Sequence, residues 1–284
     1  TPMSFQNNSH TISVSLPPTL GVNNLASLIE ALSQIGTGGG DVELDCTNVN
    51  FVDPLGMTVL AASLEPLDKT RRVSMPWLST RIAGYMERMD FFNGIPVDGV
   101  NVPQNRVRND QHGNLLEITR LVDSDKSEAV ADQLATAIVG KILGRGPKPI
   151  NFNVPDVEYD QYHRPLRYSL SELIENALTH ARREGAFDAV VWVAAQYYKD
   201  QQNGGRIQVA VVDNGCGFLA TLQNHIELRE KTHAEAIRVA LKPKVSCNRD
   251  MGPSGESVND GAGLTTTVRI GKATGGSVPI VRGH

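Results

Sequence analysis

The sequence contains no long hydrophobic run. No window approaches the roughly 18 consecutive apolar residues that a transmembrane helix requires. The first residues, Thr1 to Ser4, also lack the basic segment and following apolar segment of a secretory signal peptide. We therefore expect neither a membrane span nor a signal peptide.

Cysteine is scarce as well. The three cysteines, Cys46, Cys216 and Cys247, are an odd number, lie far apart and include no CxxC pair. We therefore expect neither a disulfide framework nor a cysteine-rich zinc site. Isolated thiols fit a cytoplasmic protein. Cys216 lies between two glycines and is interpreted as incidental to the turn that they form.

Neither sign of charge dominates, and no segment has an extreme composition. The chain of 284 residues carries 27 basic and 31 acidic side chains without a basic block, which argues against nucleic acid as the main partner. With 40% hydrophobic and 20% charged residues, the composition is that of a globular protein and excludes the disordered and collagenous classes. At about 150 residues per domain, this length predicts two domains.

A polar segment divides the chain. Residues 101–113 contain only two apolar side chains besides proline and end in turn-forming residues, which is typical of a linker. We therefore predict one domain over residues 1–100 and a second over residues 114–284.

The first domain alternates between strand-like and helix-like patterns. In some segments apolar residues alternate with polar ones, and in others they recur every three or four residues. The predicted strands cover 12–16, 42–46 and 72–75, and the predicted helices cover 25–35, 57–64 and 78–89. Such an alternation predicts an α/β fold.

Three segments of this domain resemble the STAS domain, the fold of anti-sigma factor antagonists. They are residues 41–45, 49–56 and 85–92. The resemblance covers about the first hundred residues. It implies an interaction module, through which the protein docks a protein partner or associates with itself as a homodimer.

One position departs from the STAS pattern. Phosphorylated members of the family have a serine or threonine after the aspartate at the helix start, whereas Pro54 follows Asp53 here and has no hydroxyl group. We therefore predict a structural role for both residues, with Asp53 as the N-cap and Pro54 at the first position of the helix.

In the second domain, a predicted strand at 115–121 and a predicted helix at 130–142 precede a more informative helix over 169–181. The apolar residues of this helix form a continuous stripe at i, i+3, i+4 and i+7, which predicts a buried face. Glu172 and Asn176 lie four residues apart on the neighbouring face, so a carboxylate and a carboxamide project side by side. Such a pair alone is more often part of a solvated surface.

Two glycine-rich turns follow this helix. A strand-like segment, 206–212, ends at Asp213, which precedes Gly215 and Gly217. A carboxylate here can accept a hydrogen bond from an amino group, and the glycines let a ligand approach the backbone. Further along, 259–264 forms a second Gly-x-Gly turn before a predicted helix, where free N–H groups suit phosphate. Either turn alone is a weak signal.

In this order, the three segments resemble the N, G1 and G2 boxes of the GHKL superfamily, which contains gyrase-type ATPases, histidine kinases and anti-sigma factor serine kinases. The resemblance extends from about Leu115 to the C-terminus and implies an α/β sandwich that binds ATP with Mg²⁺. It makes Asn176 the magnesium ligand and Glu172 the candidate general base. The residues that it assigns to the nucleotide are Asp213 at the adenine amino group, Gly215 and Gly217 beneath the base, and Gly261, Gly263 and Leu264 at the phosphates.

The segment between the glycine turns, residues 221–260, is long enough for a lid over the nucleotide and contains a predicted short helix at 235–240. Lys242, Lys244 and Arg249 lie in it and could neutralise phosphates. Charged side chains in a loop are more often simply solvated, which is the interpretation favoured here.

The C-terminal end departs from the GHKL pattern. After Gly276 only eight residues remain, enough for one more strand at most, whereas the family often continues further. Either the chain is truncated or the sheet is short at this edge.

Two hypotheses from different classes follow. The first is a cytoplasmic GHKL-type ATPase or serine/threonine kinase that regulates a protein partner, and the second is a non-catalytic switch in which bound ATP alters partner binding without turnover. A sensor histidine kinase is disfavoured because Glu172 stands where these kinases generally have asparagine, and because the helix at 130–142 contains no histidine. The complete set of motif residues disfavours a purely structural protein.

Overall fold

The protein has a mixed α/β fold. The computed structural model describes residues 11–36, 39–67, 71–102, 114–144, 156–182, 186, 188–199, 205–242, 264, 267–269, 272 and 276–281. These form two compact units, one over 11–102 and one over 114–281. Within the described ranges, no helix is both long and apolar enough to cross a membrane.

The first unit contains short strands and helices in alternation. In chain order they are β1 (Ile12–Ser15), β2 (Thr19–Leu20), α1 (Leu25–Ser33), β3 (Val42–Asp45), β4 (Phe51–Val52), α2 (Pro54–Leu64), β5 (Val73–Ser74), α3 (Thr80–Arg88) and α4 (Phe91–Gly94). All six elements predicted for this region are confirmed, with ends that differ by a few residues. The sequence patterns missed β2, β4 and α4 because two to four residues are too few to show a period.

The sheets of the first unit are parallel. Three strands pair in the order β1-β3-β5, with Val42 of β3 opposite both Ile12 and Val73, and β2 pairs with β4. Parallel neighbours need crossover connections, which α1 and α2 supply. Val14 and Leu44 are fully buried in the core of this unit.

Asp53 connects two segments of the first unit. It is only 3% exposed, and its carboxylate accepts the backbone N–H of Gly56 at 2.9 Å and that of Val22 at 3.0 Å. Asp53 is therefore the N-cap of α2, and Pro54 is at the first helical position, as predicted. Asn24 is the N-cap of α1, but its side chain makes no capping bond.

The second unit is built on an antiparallel sheet. Its elements are β6 (Leu115–Leu121), α5 (Ser127–Ile142), α6 (Val157–Ala181), β7 (Val191–Tyr198), β8 (Arg206–Asp213), α7 (Gly217–Leu222) and α8 (His233–Ala240). The described strands pair in the order β6-β7-β8, so β7 is central. Helices α5 and α6 pack on one face of the sheet and form a core with Leu116, Leu121, Val130, Ala131, Leu134, Ala135, Leu170, Ile174, Leu178, Val191, Val193 and Ala195.

Two features of this unit differ from the sequence prediction. The central strand β7 was not predicted, because residues 191–195 are all buried and show none of the polar alternation that marks a half-exposed strand. Helix α6 begins twelve residues before the predicted start at 169, with Pro165 inside it. This N-terminal half is held on α5 by an ion pair of Arg167 with Glu128 at 3.0 Å and by a contact of His163 with Thr136 at 3.2 Å.

The buried Asp53 carboxylate generates a stability prediction. We expect Asp53→Ala to destabilise the first unit by about 2–4 kcal/mol, because two buried backbone N–H groups lose their acceptor. The measurement is urea unfolding followed by circular dichroism. Asn24→Ala is the matched control, since it removes an N-cap side chain without a capping bond, and it should change stability by no more than about 0.5 kcal/mol. Equal effects of the two variants would contradict a bridging role for Asp53.

Candidate functional site

Helix α6 positions Glu172 and Asn176 beside the core of the second unit. Leu170, Ile174 and Leu178 are buried in the helix-sheet interface, as the apolar stripe predicts. Glu172 and Asn176 are half-buried and lie one helical turn apart, on the side of the helix away from its buried stripe. The two polar groups are therefore held by a helix whose orientation is set by its core face.

The surroundings of Glu172 change its acidity. Burial and then the nearby charge of Glu175 raise the pKa of the Glu172 carboxyl above its ordinary value, while a hydrogen bond from Tyr168 acts in the opposite direction. Glu175 is itself held by the Ser127 hydroxyl, which donates to it at 3.1 Å from the start of α5. A carboxyl with a raised pKa at a half-buried position is suited to accept a proton.

Strand register places Asp213 on the same side of the sheet as α6. Asp213 is the last residue of β8 and lies directly opposite Val191 of β7. Directly paired residues on neighbouring strands project to the same face, and Val191 belongs to the core that α6 covers. The Asp213 carboxylate therefore projects toward the helical layer, at the end of the strand.

A tight turn joins Asp213 to the end of α6. One oxygen of Asp213, Oδ1, accepts the N–H of Gly215 at 3.0 Å, and the N–H of Cys216 donates to the Ala181 carbonyl at 3.1 Å. A Cβ on Gly215 would lie 2.2 Å from that same carbonyl oxygen, so only glycine fits. Gly217 has a φ of +73°, a left-handed conformation that favours glycine.

The third predicted segment is described only in part. Gly261 and Gly263 lie outside the described residues, and Leu264 is helical and half-buried. Thr267, also helical, donates its hydroxyl to the Ser169 carbonyl of α6 at 3.4 Å. Thr267, which follows the predicted second glycine turn in the sequence, therefore contacts the same helix as the turn after Asp213.

The sequence analysis did not predict the roles of two residues that hold the segments around the Asp213 turn and helix α8. Asn214 accepts the N–H of Val190 with its side chain at 2.9 Å, which connects the turn to the start of β7. Glu235 accepts the backbone N–H groups of residues 229, 230 and 231 and lies three residues after Thr232, the N-cap of α8. The Thr-x-x-Glu spacing of a capping box was visible in the sequence and predicts a helix start at 233.

The predicted lid is likewise described only in part, over residues 221–242. Its helix α8 packs on α7 through a small apolar cluster that includes Leu222, Leu228 and Val239. Lys242 forms an exposed ion pair with Glu227 at 2.6 Å, which agrees with a solvated role. Lys244 and Arg249 lie outside the described residues.

Comparisons with models of protein families, with curated proteins and with solved structures find no match for this chain. Among the described residues, no group of three or more His, Cys, Asp or Glu side chains could hold a metal ion. The function of the site is therefore inferred from its own residues and geometry.

The contact between Gly215 and Ala181 generates a second prediction. We expect Gly215→Ala to destabilise the second unit by about 1–3 kcal/mol, because the added methyl group meets backbone atoms that cannot rotate away. Fluorescence of Trp192, which is buried in this unit, reports its unfolding in urea. Gly39→Ala is a control for the glycine replacement itself, since a Cβ there has no neighbour within 4 Å; because Gly39 lies in the first unit, its unfolding is followed by circular dichroism. Unchanged stability of Gly215→Ala would show that the turn is not held against α6.

Proposed function

We propose that the second unit is a GHKL-type, Mg²⁺-dependent ATP-binding domain that acts as an ATPase or a serine/threonine kinase on a protein partner. The observation that carries this proposal is the order of groups along α6. The turn after Asp213 contacts Ala181 at the C-terminal end of the helix, and Thr267 contacts Ser169 nearer its start. Asn176 and Glu172 lie between these two contacts.

The spacing of these groups suits a nucleoside triphosphate. At a rise of about 1.5 Å per residue, Asn176 lies about 7.5 Å and Glu172 about 13.5 Å along the helix from Ala181. An adenine at Asp213 would thus place its phosphates past Asn176, with the terminal phosphate nearest to Glu172. A carboxylate for the amino group, a carboxamide for the metal and a base for the attacking group then follow in the order of the ligand.

Asn176 would hold the magnesium ion. A single carboxamide oxygen fits Mg²⁺ because this ion is commonly bound through few protein ligands, together with substrate phosphates and waters. Bound Mg²⁺ neutralises charge on the phosphate oxygens. Asn176 is half-buried on a helix whose opposite side is buried in the core, so the backbone position of Asn176 is fixed by this packing.

Glu172 would act as the general base. Its carboxylate would take the proton of a water or of a partner's hydroxyl group while the oxygen of that group attacks the terminal phosphorus and the bond to the nucleoside diphosphate breaks. The raised pKa of Glu172 supports this role, because a base works best when its pKa lies near the working pH.

The first unit would serve as a STAS-like interaction domain of a cytoplasmic protein. Its parallel sheet and the aspartate-capped helix α2 support this proposal. Trp77 is 65% exposed and Phe51 is 40% exposed, and aromatic side chains are enriched where proteins bind each other. Docking of a protein partner and self-association remain the two proposed uses of this unit.

Calorimetry with ATP tests the binding proposal. We expect ATP binding that requires Mg²⁺ and that loses its Mg²⁺ dependence in Asn176→Ala.

Asp213→Asn should lower the affinity for ATP about ten- to a hundredfold without a matching loss of melting temperature, because an acceptor for the adenine amino group is replaced by an amide. Equal affinity with and without Mg²⁺ in the wild type, or unchanged ATP affinity in Asp213→Asn, would contradict the assignments.

Turnover distinguishes an enzyme from a switch. We expect Glu172→Gln to bind ATP within a few-fold of wild type and to lower turnover by roughly 10²–10⁴. Turnover should rise with pH as Glu172 ionises. Tyr168→Phe removes a hydrogen bond that lowers the pKa of Glu172, so the acidic limb of the pH profile of turnover should move to higher pH. Glu175→Gln removes a like charge that raises the pKa of Glu172, so the same limb should move to lower pH.

The opposite shifts of these two variants provide the internal control for turnover, since general damage to the site would not separate them. Hydrolysis by Glu172→Gln at the wild-type rate would place the base elsewhere. If the wild type binds ATP but shows no hydrolysis or phosphotransfer even with its partner, the non-catalytic, nucleotide-gated switch becomes the better interpretation.

A further inference from the structure

Cys216 connects the turn after Asp213 to the last turn of α6 through both its backbone and its side chain. Its N–H donates to the Ala181 carbonyl at 3.1 Å, and its thiol Sγ donates to the His180 carbonyl at 3.2 Å. The thiol also lies 3.6 Å from the hydroxyl oxygen of Thr221 in α7. A single residue thus contacts two successive carbonyl groups at the end of the helix.

These carbonyl groups end a helix, and that of His180 also accepts the backbone N–H of Arg182, the C-cap residue. The last four carbonyl groups of an α-helix have no intrahelical donor and take partners from elsewhere. Here Cys216 supplies a donor to each of the last two residues of α6, and Gly215 packs directly on Ala181. The turn therefore caps the helix that also carries Asn176 and Glu172.

The backbone at this position does not require a cysteine. Cys216 has φ −71° and ψ −17°, a right-handed conformation open to almost every residue type. Its backbone N–H would make the same bond with alanine in its place. The contacts to the His180 carbonyl and to the Thr221 hydroxyl depend on the side chain, and the first of them needs a small hydrogen-bond donor.

We infer that the Cys216 thiol is a positioning group, which holds the Asp213 turn in register with α6 so that Asp213 and Asn176 meet the same nucleotide. The inference rests on the proposed function. Recognition of an amino group depends on a carboxylate placed to within a fraction of an ångström. A turn held to α6 by fewer bonds would place Asp213 less accurately and would distinguish purines less well.

Nucleotide selectivity tests this inference. Guanine presents a carbonyl group where adenine presents its amino group, so the ratio of ATP to GTP affinity measures how accurately Asp213 is placed. We expect Cys216→Ala to lower that ratio roughly three- to tenfold, because one weak hydrogen bond is lost. Cys216→Ser keeps a donor and should restore the ratio to within about twofold of wild type. Calorimetry with Mg²⁺ and each nucleotide gives the affinities.

Cys46 offers a matched control in the first unit. Its thiol also donates to a backbone carbonyl, that of Leu44 at 3.3 Å, and it is buried. Cys46→Ala therefore removes the same kind of bond away from the proposed site, and it should leave the ratio of ATP to GTP affinity unchanged. Melting temperatures of the nucleotide-free variants are measured in parallel.

Different results would overturn different claims. If Cys216→Ala weakens ATP and GTP equally and lowers the melting temperature, the thiol is merely structural and the inference fails. If Cys216→Ala and the wild type show the same ratio, the inference fails while the proposed function stands. If the wild type binds no ATP, the proposed function fails and the inference with it.

Discussion

The packing of α6 on the antiparallel sheet is the constraint on which the second unit depends. Its buried face sets the rotation of the helix, and the rotation decides where Glu172 and Asn176 project. The end of the same helix receives the glycine turn, so Asp213 is placed by contacts to Ala181 and His180 as well as by its own strand. The candidate groups of the proposed site are thus all positioned by one rigid helix, which allows residues far apart in the sequence to act on one ligand.

The candidate base carries a thermodynamic consequence of its position. A raised pKa in the folded state means that the protonated form of Glu172 is favoured there. The contribution of Glu172 to the free energy of unfolding is therefore fully present below its pKa in the unfolded chain, and it is lost as the pH rises through its pKa in the folded protein. Above the pKa that Glu172 has in the unfolded chain, this carboxyl therefore opposes folding. The buried apolar stripe beside it offsets this effect, and such local opposition to stability is common where a group is placed for chemistry.

The two aspartates at element ends illustrate how similar sequence features serve different purposes. Asp53 is buried, and both its oxygens accept backbone N–H groups from two segments of the first unit. Asp213 is exposed at the end of β8, and its bond to Gly215 shapes a turn beside the helix that carries the other candidate groups. Burial and two backbone partners explain why Asp53 is structural, whereas solvent exposure is what the proposed role of Asp213 requires.

Sequence periodicity by itself determined the six longer elements of the first unit and the buried face of α6, because apolar side chains recur in them with the period of the backbone. It could not reveal β7, which is buried on both sides, or the first half of α6, where Pro165 interrupts the local pattern while Arg167 and His163 hold the helix on α5. Only the tertiary structure decided that Asp213 faces the helical layer and that Cys216 contacts the end of α6. Both depend on strand register and on packing between residues far apart in the chain, and local residue patterns carry no record of either.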